Sequence, residues 1–203
     1  MATRRNIGRF LGEFLLHPAK TGAITPSSQS LARTMVEWID LPKARTVVEY
    51  GPGTGAFTGF ILKRMPADSR FVAIELNSRL AELFRLRYPD LTLVEDSVAN
   101  VGAICRGLGI ESVDCIVCGL PWASFPESLQ ILLLNRMMEV LSEHGQFVTF
   151  AYLQGLLLPA GRRFAELLPR YFSHVSRSRT VWLNLPPAFV YQCGGPTGPD
   201  RAE

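Results

Sequence analysis

Apolar positions along the chain switch between two periods. In residues 5–17, "RNIGRFLGEFLLH", Ile7, Phe10, Leu11, Phe14 and Leu15 fall at i, i+3, i+4, i+7 and i+8, one face of a helix that Pro18 ends. "TGAITPSS" reads as a connector whose Ser27 or Ser28 caps a helix over 29–40. Short apolar runs then alternate with helical patterns. They predict strands at 45–50, 70–75, 91–94, 113–118 and 146–152, with helices at 56–65, 78–88, 97–107 and 127–142. Strands that are apolar throughout and separated by helices imply an α/β fold, a mostly parallel sheet with helices on both faces. After a further helix near 161–171 the pattern changes. "VSRSRTVWLNLPPAFVYQC" holds two β-rich runs split by "NLPP", too short for a crossover helix, so these two strands must be antiparallel. The chain divides into an N-terminal helix and connector (1–26), one domain (27–193) and a frayed tail, "GGPTGPDRAE" (194–203).

Composition narrows the setting. A chain of 203 residues, 47% hydrophobic and 19% charged, can bury one sizeable core. Its longest apolar runs fall well short of the roughly 20 residues a membrane span needs. Arg9 and Glu13 interrupt any signal-peptide core, so the expectation is a cytoplasmic protein. The net charge is +3, and residues 1–26 carry all of it: Arg4, Arg5, Arg9 and Lys20 against Glu13. Such asymmetry suggests an anionic partner for that segment. Cys115 and Cys118 form a C-x-x-C, but inside "VDCIVCGLP", which reads as a buried strand. They are expected as small core residues with no metal, since zinc needs two more ligands.

The stretch "VVEYGPGTGAFTGF", residues 47–60, places three glycines after a strand and before a helix. In a parallel sheet the ligand site lies at the carboxyl ends of the strands, where the strand order switches. Glycines there allow positive φ and leave room for a ligand against the backbone. No Gly-Lys-Ser/Thr follows, which excludes a P-loop. A dinucleotide fingerprint would need glycine at Ala56 or Thr58. The motif E-x-G-x-G-x-G instead resembles the first motif of class I S-adenosylmethionine-dependent methyltransferases. That resemblance implies an acidic residue ending the second strand to take the ribose hydroxyls, and an acidic or polar group after the third strand near the adenine. Glu75 in "FVAIELN" and Asp96 in "LTLVEDSV" stand at those places. It implies a Rossmann-like, seven-stranded sheet with an antiparallel last strand. It also implies S-adenosylmethionine as cofactor, held by Glu49, Gly51, Gly53, Gly55, Glu75, Leu76, Asp96 and Ser97.

The fourth strand ends in "DCIVCGLPWASFP". Gly119-Leu120-Pro121-Trp122 aligns with the Asn-Leu-Pro-Tyr of ribosomal RNA adenine dimethyltransferases, keeping the aromatic residue and losing the amide. Oxygens there accept the hydrogens of an amine, and an aromatic face stabilises its growing positive charge. Together with the basic start, "GAITPSS" and "VWLNLPPAFVY", this resembles the bacterial phospholipid N-methyltransferases over residues 5–193. The family implies methylation of phosphatidylethanolamine towards phosphatidylcholine by a peripheral enzyme on the inner face of the membrane. Gly119, Leu120, Trp122 and Tyr152 would stand at the methyl-transfer site. Arg4, Arg5, Arg9, Phe10 and Phe14 would meet the anionic membrane, and Arg177 and Arg179 are candidates for the lipid phosphate. Two rivals remain: a nucleic-acid adenine methyltransferase, and a non-catalytic cofactor-binding protein at membranes. The first would want a broad basic surface and an RNA-binding domain, and neither is visible after residue 26, so no stable nucleic-acid partner is expected. The second is opposed by the intact Glu49, Gly51, Gly53, Glu75 and Trp122.

Overall fold

The computed structural model describes residues 28–198. Seven strands form one sheet: β1 (Thr46–Tyr50), β2 (Arg70–Glu75), β3 (Thr92–Glu95), β4 (Val113–Cys118), β5 (Leu141–Tyr152), β6 (Phe172–Arg177) and β7 (Ala188–Pro196). Their order is β3-β2-β1-β4-β5-β7-β6. β7 runs antiparallel to both β5 and β6, and the remaining neighbours pair in parallel. The helices are α1 (Gln29–Glu37), α2 (Thr58–Leu62), α3 (Ser78–Arg87), α4 (Val101–Gly107), α5 (Glu127–Met138) and α6 (Pro159–Tyr171). Ser28 caps α1 by accepting from the Leu31 N–H, and Asn77 caps α3 through the Leu80 N–H. Among the described residues no helix is long and apolar enough to cross a membrane.

The strands are apolar throughout because both faces are covered. Val48 and Tyr50 of β1 pack with α4, α5 and α6, whereas Val47 packs with α1, α2 and Phe84 of α3. Cys118 lies in the first core and Cys115 in the second, on opposite faces of one strand. A spacing of three in an extended chain separates them in this way, so the pair shares neither a metal nor a bridge.

The boundaries that differ most from the sequence expectation lie around β5 and in the terminal hairpin; α1, α2 and α4 are shorter than predicted. β5 begins at Leu141, not 146, and α5 accordingly stops at Met138. Leu141 pairs with Val113, but the register shifts before Cys115 meets Gln146, and this irregularity hides the strand's first half from any alternation pattern. In the terminal hairpin β6 follows α6 directly at Phe172, and residues 178–187 form a loop in which Val181↔Ala188 is an isolated bridge. "VWL" has strand-forming residues, yet Trp182 and Leu183 are exposed and pack on nothing that would extend the sheet. Finally, β7 continues to Pro196, pairing Gly194 with Gln146 and Pro196 with Phe172.

A buried amide ties the segment after β4 to its surroundings. Gln130 Nε2 donates to the carbonyls of Trp122 (2.8 Å), Phe125 (3.3 Å) and Ala160 (3.0 Å). It thereby joins the 119–125 segment to α5 and to the start of α6. Replacing it by an apolar side chain strands buried carbonyls, each costing on the order of 1–3 kcal/mol. Gln130→Leu is therefore expected to lower the unfolding free energy by about 2 kcal/mol or more in urea titrations. Wild-type stability in that variant would mean that packing alone holds the segment.

Candidate functional site

The site begins where β1 ends. Gly51 and Gly53 have φ of 61° and 56°, conformations that glycine adopts without strain. The Gly51 N–H still donates to Ile74 O (2.9 Å), and the Gly119 N–H donates to Tyr50 O (2.8 Å). Gly119 is required by space, and Gly51 by its positive φ. A Cβ on Gly119 would lie 2.7 Å from the Gly51 carbonyl oxygen, and one on Gly51 would lie 2.8 Å from Leu120 Cδ2. Gly53 differs, since a Cβ there would meet nothing within 4 Å. The first two close the strand ends onto each other, and the third faces open space.

That space is a cavity of about 700 Å³ across the carboxyl ends of β1, β2, β4 and β5. Its volume lies within the roughly 300–1,000 Å³ usual for small-molecule sites. On one side Gly51, Gly53, Glu75, Leu76, Asp96 and Ser97 line it. Gly119, Leu120, Trp122 and Tyr152 line the other. Two sequence candidates sit elsewhere. Glu49 lies beneath the turn, and Gly55 packs against the ring of Tyr88, whose hydroxyl donates to the Gly55 carbonyl (3.3 Å). Neither lines the cavity. Arg4, Arg5, Arg9, Phe10 and Phe14 lie outside the described residues. Arg177 closes β6 with its guanidinium 3.6 Å above the Phe189 ring, and Arg179 is exposed in the following loop.

Glu75 is nearly buried, and two backbone donors set its carboxylate: Gly53 N–H to Oε2 (3.0 Å) and Asn77 N–H to Oε1 (2.9 Å). Burial raises its pKa and these bonds lower it, burial being the larger effect. A carboxylate offers about four lone-pair sites, so acceptor capacity remains for a pair of vicinal hydroxyls. Asp96 Oδ1 accepts from Ser97 N–H (2.6 Å) and Asn100 Nδ2 (2.8 Å), which fixes that carboxylate at the cavity edge. Ser97 Oγ accepts from the Ala99 N–H. The cavity thus presents a fixed carboxylate at the end of β2, an open glycine turn after β1 and a second carboxylate after β3.

Glu49 is fully buried, with Oε2 accepting from the Thr58 hydroxyl (2.7 Å) and Oε1 without a partner among the described residues. Burial pushes its pKa up to about 8, Thr58 opposes the rise, and the charge of Glu75 adds to it. Through Thr58 it ties the end of β1 to the start of α2. Thr58 is the partner that sequence reading missed, its one signal being a hydroxyl at the start of a helix just after the turn.

Trp122 is both cavity wall and core. Its ring stacks on Phe164 at 4.4 Å and 13°, and Phe125 and Phe147 meet it edge-on. Its Nε1 donates to Thr149 Oγ1 (3.2 Å), which in turn donates to Cys118 O (3.1 Å). Phe164 and Thr149 carried no sequence signal, because their partners are far away along the chain. Tyr152 stands at the end of β5 against Phe150, and burial pushes its phenol above its ordinary pKa.

Two tests follow from this geometry. If Glu75 accepts from the ligand's vicinal hydroxyls, Glu75→Ala should weaken S-adenosylhomocysteine binding by about 1.5–3 kcal/mol in calorimetric titration. Unchanged affinity would dissociate Glu75 from the ligand. The second concerns Glu49, which holds its proton in the folded chain up to about pH 8, against an ordinary value of 4.5. Between those values the folded state binds the extra proton, so stability falls as pH rises through the window. Thermal melts from pH 5 to 8 should show this decline, and Glu49→Gln should flatten it. An equal slope in the variant would place the titration elsewhere.

Comparison with known proteins gives a consistent picture. Residues 27–98 match the family described as ribosomal RNA adenine dimethylase. An ornithine lipid N-methyltransferase from Singulisphaera acidiphila is 35% identical over 189 residues, 92% of this chain and 94% of that protein. A ribosomal RNA small subunit methyltransferase A from Acidobacterium capsulatum is 39% identical over 88 residues, 42% of this chain and 30% of that protein. Among solved structures, the O-methyltransferase from Bacillus cereus in complex with SAH gives a TM-score of 0.66 at 13% identity, covering 96% of this chain and 97% of that one. At such identity the likeness is one of fold.

Proposed function

Because the chain belongs to the class I S-adenosylmethionine-dependent methyltransferases, in the branch that joins the ornithine lipid N-methyltransferase to the ribosomal RNA adenine dimethylases, we propose that it N-methylates the primary amine of a membrane aminolipid. The observation that carries this reading is where the two likenesses end. The ribosomal RNA family match covers 27–98, the stretch that carries Gly51, Gly53, Glu75 and Asp96 and that this reading gives to the cofactor. The lipid methyltransferase likeness spans 92% of the chain, and so includes the substrate side. Ornithine lipid is the first candidate, on that relative's name. Phosphatidylethanolamine, converted towards phosphatidylcholine, is the second, on the motif resemblance. Both present a primary alkylammonium beside acyl chains, and apolar Leu120, Phe150, Leu156 and Leu158 line the cavity on that side. The same reading places residues 1–20 on the membrane.

S-adenosylmethionine, when bound, supplies an electrophilic sulfonium methyl. The chain's own residues position the amine and exclude water. Backbone at Gly119 and Leu120 borders the place where the amine must sit. The Tyr152 phenol stays protonated at neutral pH because burial raises its pKa, so it serves as a hydrogen-bonding group and not as a base. Among the described residues the other titratable side chains lining the cavity are Glu75, Arg79 and Asp96, and this reading gives the two carboxylates to the cofactor. With no base facing the amine among the described residues, this reading has the ammonium lose its proton to water before transfer. An alkylammonium has a pKa of about 10.4 in lysine, so turnover should climb with pH from 7 to 9.

The test is incubation with methyl-labelled S-adenosylmethionine and, in parallel, ornithine lipid, phosphatidylethanolamine and ribosomal RNA. Label is expected in an aminolipid, increasing with pH. Label in RNA alone would overturn the reading. Trp122→Phe should keep cofactor affinity and lose part of the turnover. Trp122→Ala is a poorer probe, since truncating a buried tryptophan costs about 3–5 kcal/mol of stability.

A further inference from the structure

The end of the sheet that opens the cavity also carries exposed apolar side chains in unusual density. Trp182 is 71% exposed, Leu183 81% and Leu185 77%, all in the loop between β6 and β7. Leu157 and Leu158, just after β5, are 74% and 50% exposed. Topology puts the two groups together. β7 starts with Ala188 opposite Tyr152, and β6 ends with Arg177 opposite Tyr191, so residues 178–187 project from the cavity end. The Leu153 N–H donates to Pro187 O (2.8 Å) and joins the loop to the segment after β5. Leu156 and Leu158 of that segment line the cavity itself.

The loop is held in this form. Asn184, between outward-facing Leu183 and Leu185, is buried; its Oδ1 accepts from the Ser28 N–H (2.9 Å) and its Nδ2 donates to Pro186 O (2.7 Å). A side chain locked inward forces its apolar neighbours outward. Charge completes the picture. Within 153–187 the one acid is Glu166, against Arg162, Arg163, Arg170, Arg177 and Arg179. Arg163 lies 3.8 Å from Glu127 and Arg170 sits at the far end of α6, which leaves Arg162, Arg177 and Arg179 as the cations of this edge. Arg162 is exposed and donates to Leu156 O (2.9 Å), beside the leucines, and Arg179 opens the loop. Apolar tips flanked by an excess of cations match acyl chains beneath anionic headgroups. A second copy of the chain would set cation against cation, and aromatic residues favour the membrane interface.

We propose that the 178–187 loop, with Leu157 and Leu158, is the edge by which the folded domain enters an anionic bilayer, turning the cavity mouth towards the headgroups. This rests on the aminolipid reading and adds to it a docking surface on the folded domain, separate from residues 1–20. The edge lets an amine enter the cavity while its acyl chains remain in the membrane.

The test is local. The four native cysteines are buried, so Leu183→Cys in the full chain gives one accessible thiol for an environment-sensitive fluorophore. Asp68→Cys, in the exposed turn before β2, at the other end of the sheet, is the reference position. Vesicles of phosphatidylcholine with phosphatidylglycerol should shift the label at 183 to the blue, and nitroxide on the acyl chains should quench it, with position 68 unaffected. If the chain sediments with these vesicles while the label at 183 stays in water, another segment makes the contact and the proposal is overturned. A blue, vesicle-independent label would mean that protein covers the patch, and that too would overturn the proposal. The triple variant Trp182→Ser, Leu183→Ser, Leu185→Ser should lose at least tenfold of its methylation of vesicle lipid yet stay within twofold of wild type on aminolipid in detergent micelles. Equal vesicle activity would overturn the docking edge. Absence of micelle activity in the wild type would overturn the aminolipid reading instead, whatever the label reports.

Discussion

Everything at the cavity depends on the backbone contact between the end of β1 and the end of β4. The Gly119 N–H bonds to Tyr50 O, and the Gly51 carbonyl occupies the space a Cβ on Gly119 would need. Beyond this contact the two strands part company. α2, after β1, packs into one core with Ile61, and α5, after β4, packs into the other with Leu133. Helices leaving to opposite faces open a crevice at this point of the strand order, which is why the ligand site of an open α/β sheet lies there. Glu75, from β2 on the same side of the crevice, then accepts from the Gly53 N–H and fixes both the turn and its own carboxylate.

The two sides of the crevice use different physics. The β1–β3 side is polar and held by hydrogen bonds from main-chain N–H groups, which suits a ligand with hydroxyls and an adenine. The β4–β5 side is aromatic and apolar, with Gln130 satisfying the carbonyls that its irregular backbone would otherwise bury unpaired. Glu49 shows what this arrangement costs. A fully buried carboxyl group with one oxygen unpartnered destabilises the fold above its ordinary pKa, and it is kept where it anchors the turn through Thr58.

Much of this was legible in the sequence, and the gaps have physical causes. β1 to β4 were readable because glycine, asparagine and aspartate bound short apolar runs. The carboxylates at strand ends were readable because a parallel sheet leaves them no other place. The first half of β5 was not, since its register shift breaks the alternation. The β6–β7 loop was misread as strand because propensity cannot tell an exposed "VWL" from a packed one. Gly119 looked like the loss of an amide acceptor, whereas in three dimensions its missing side chain is what lets the strand ends meet. Trp122 looked like a free platform, and its stack with Phe164 lies beyond any local pattern. Glu49 and Gly55 were assigned to the ligand with the rest of their motif, although one supports the turn and the other receives Tyr88.

The most direct measurement is S-adenosylhomocysteine binding by Gly119→Ala, with near-ultraviolet circular dichroism to establish that the fold is retained. One methyl forced against the Gly51 carbonyl costs about 1–3 kcal/mol, the range for overpacking. If the strand-end contact shapes the cofactor turn, affinity should fall by about five- to 150-fold, at 1.4 kcal/mol for each factor of ten. A natively folded Gly119→Ala protein that binds the ligand as tightly as wild type would contradict the account.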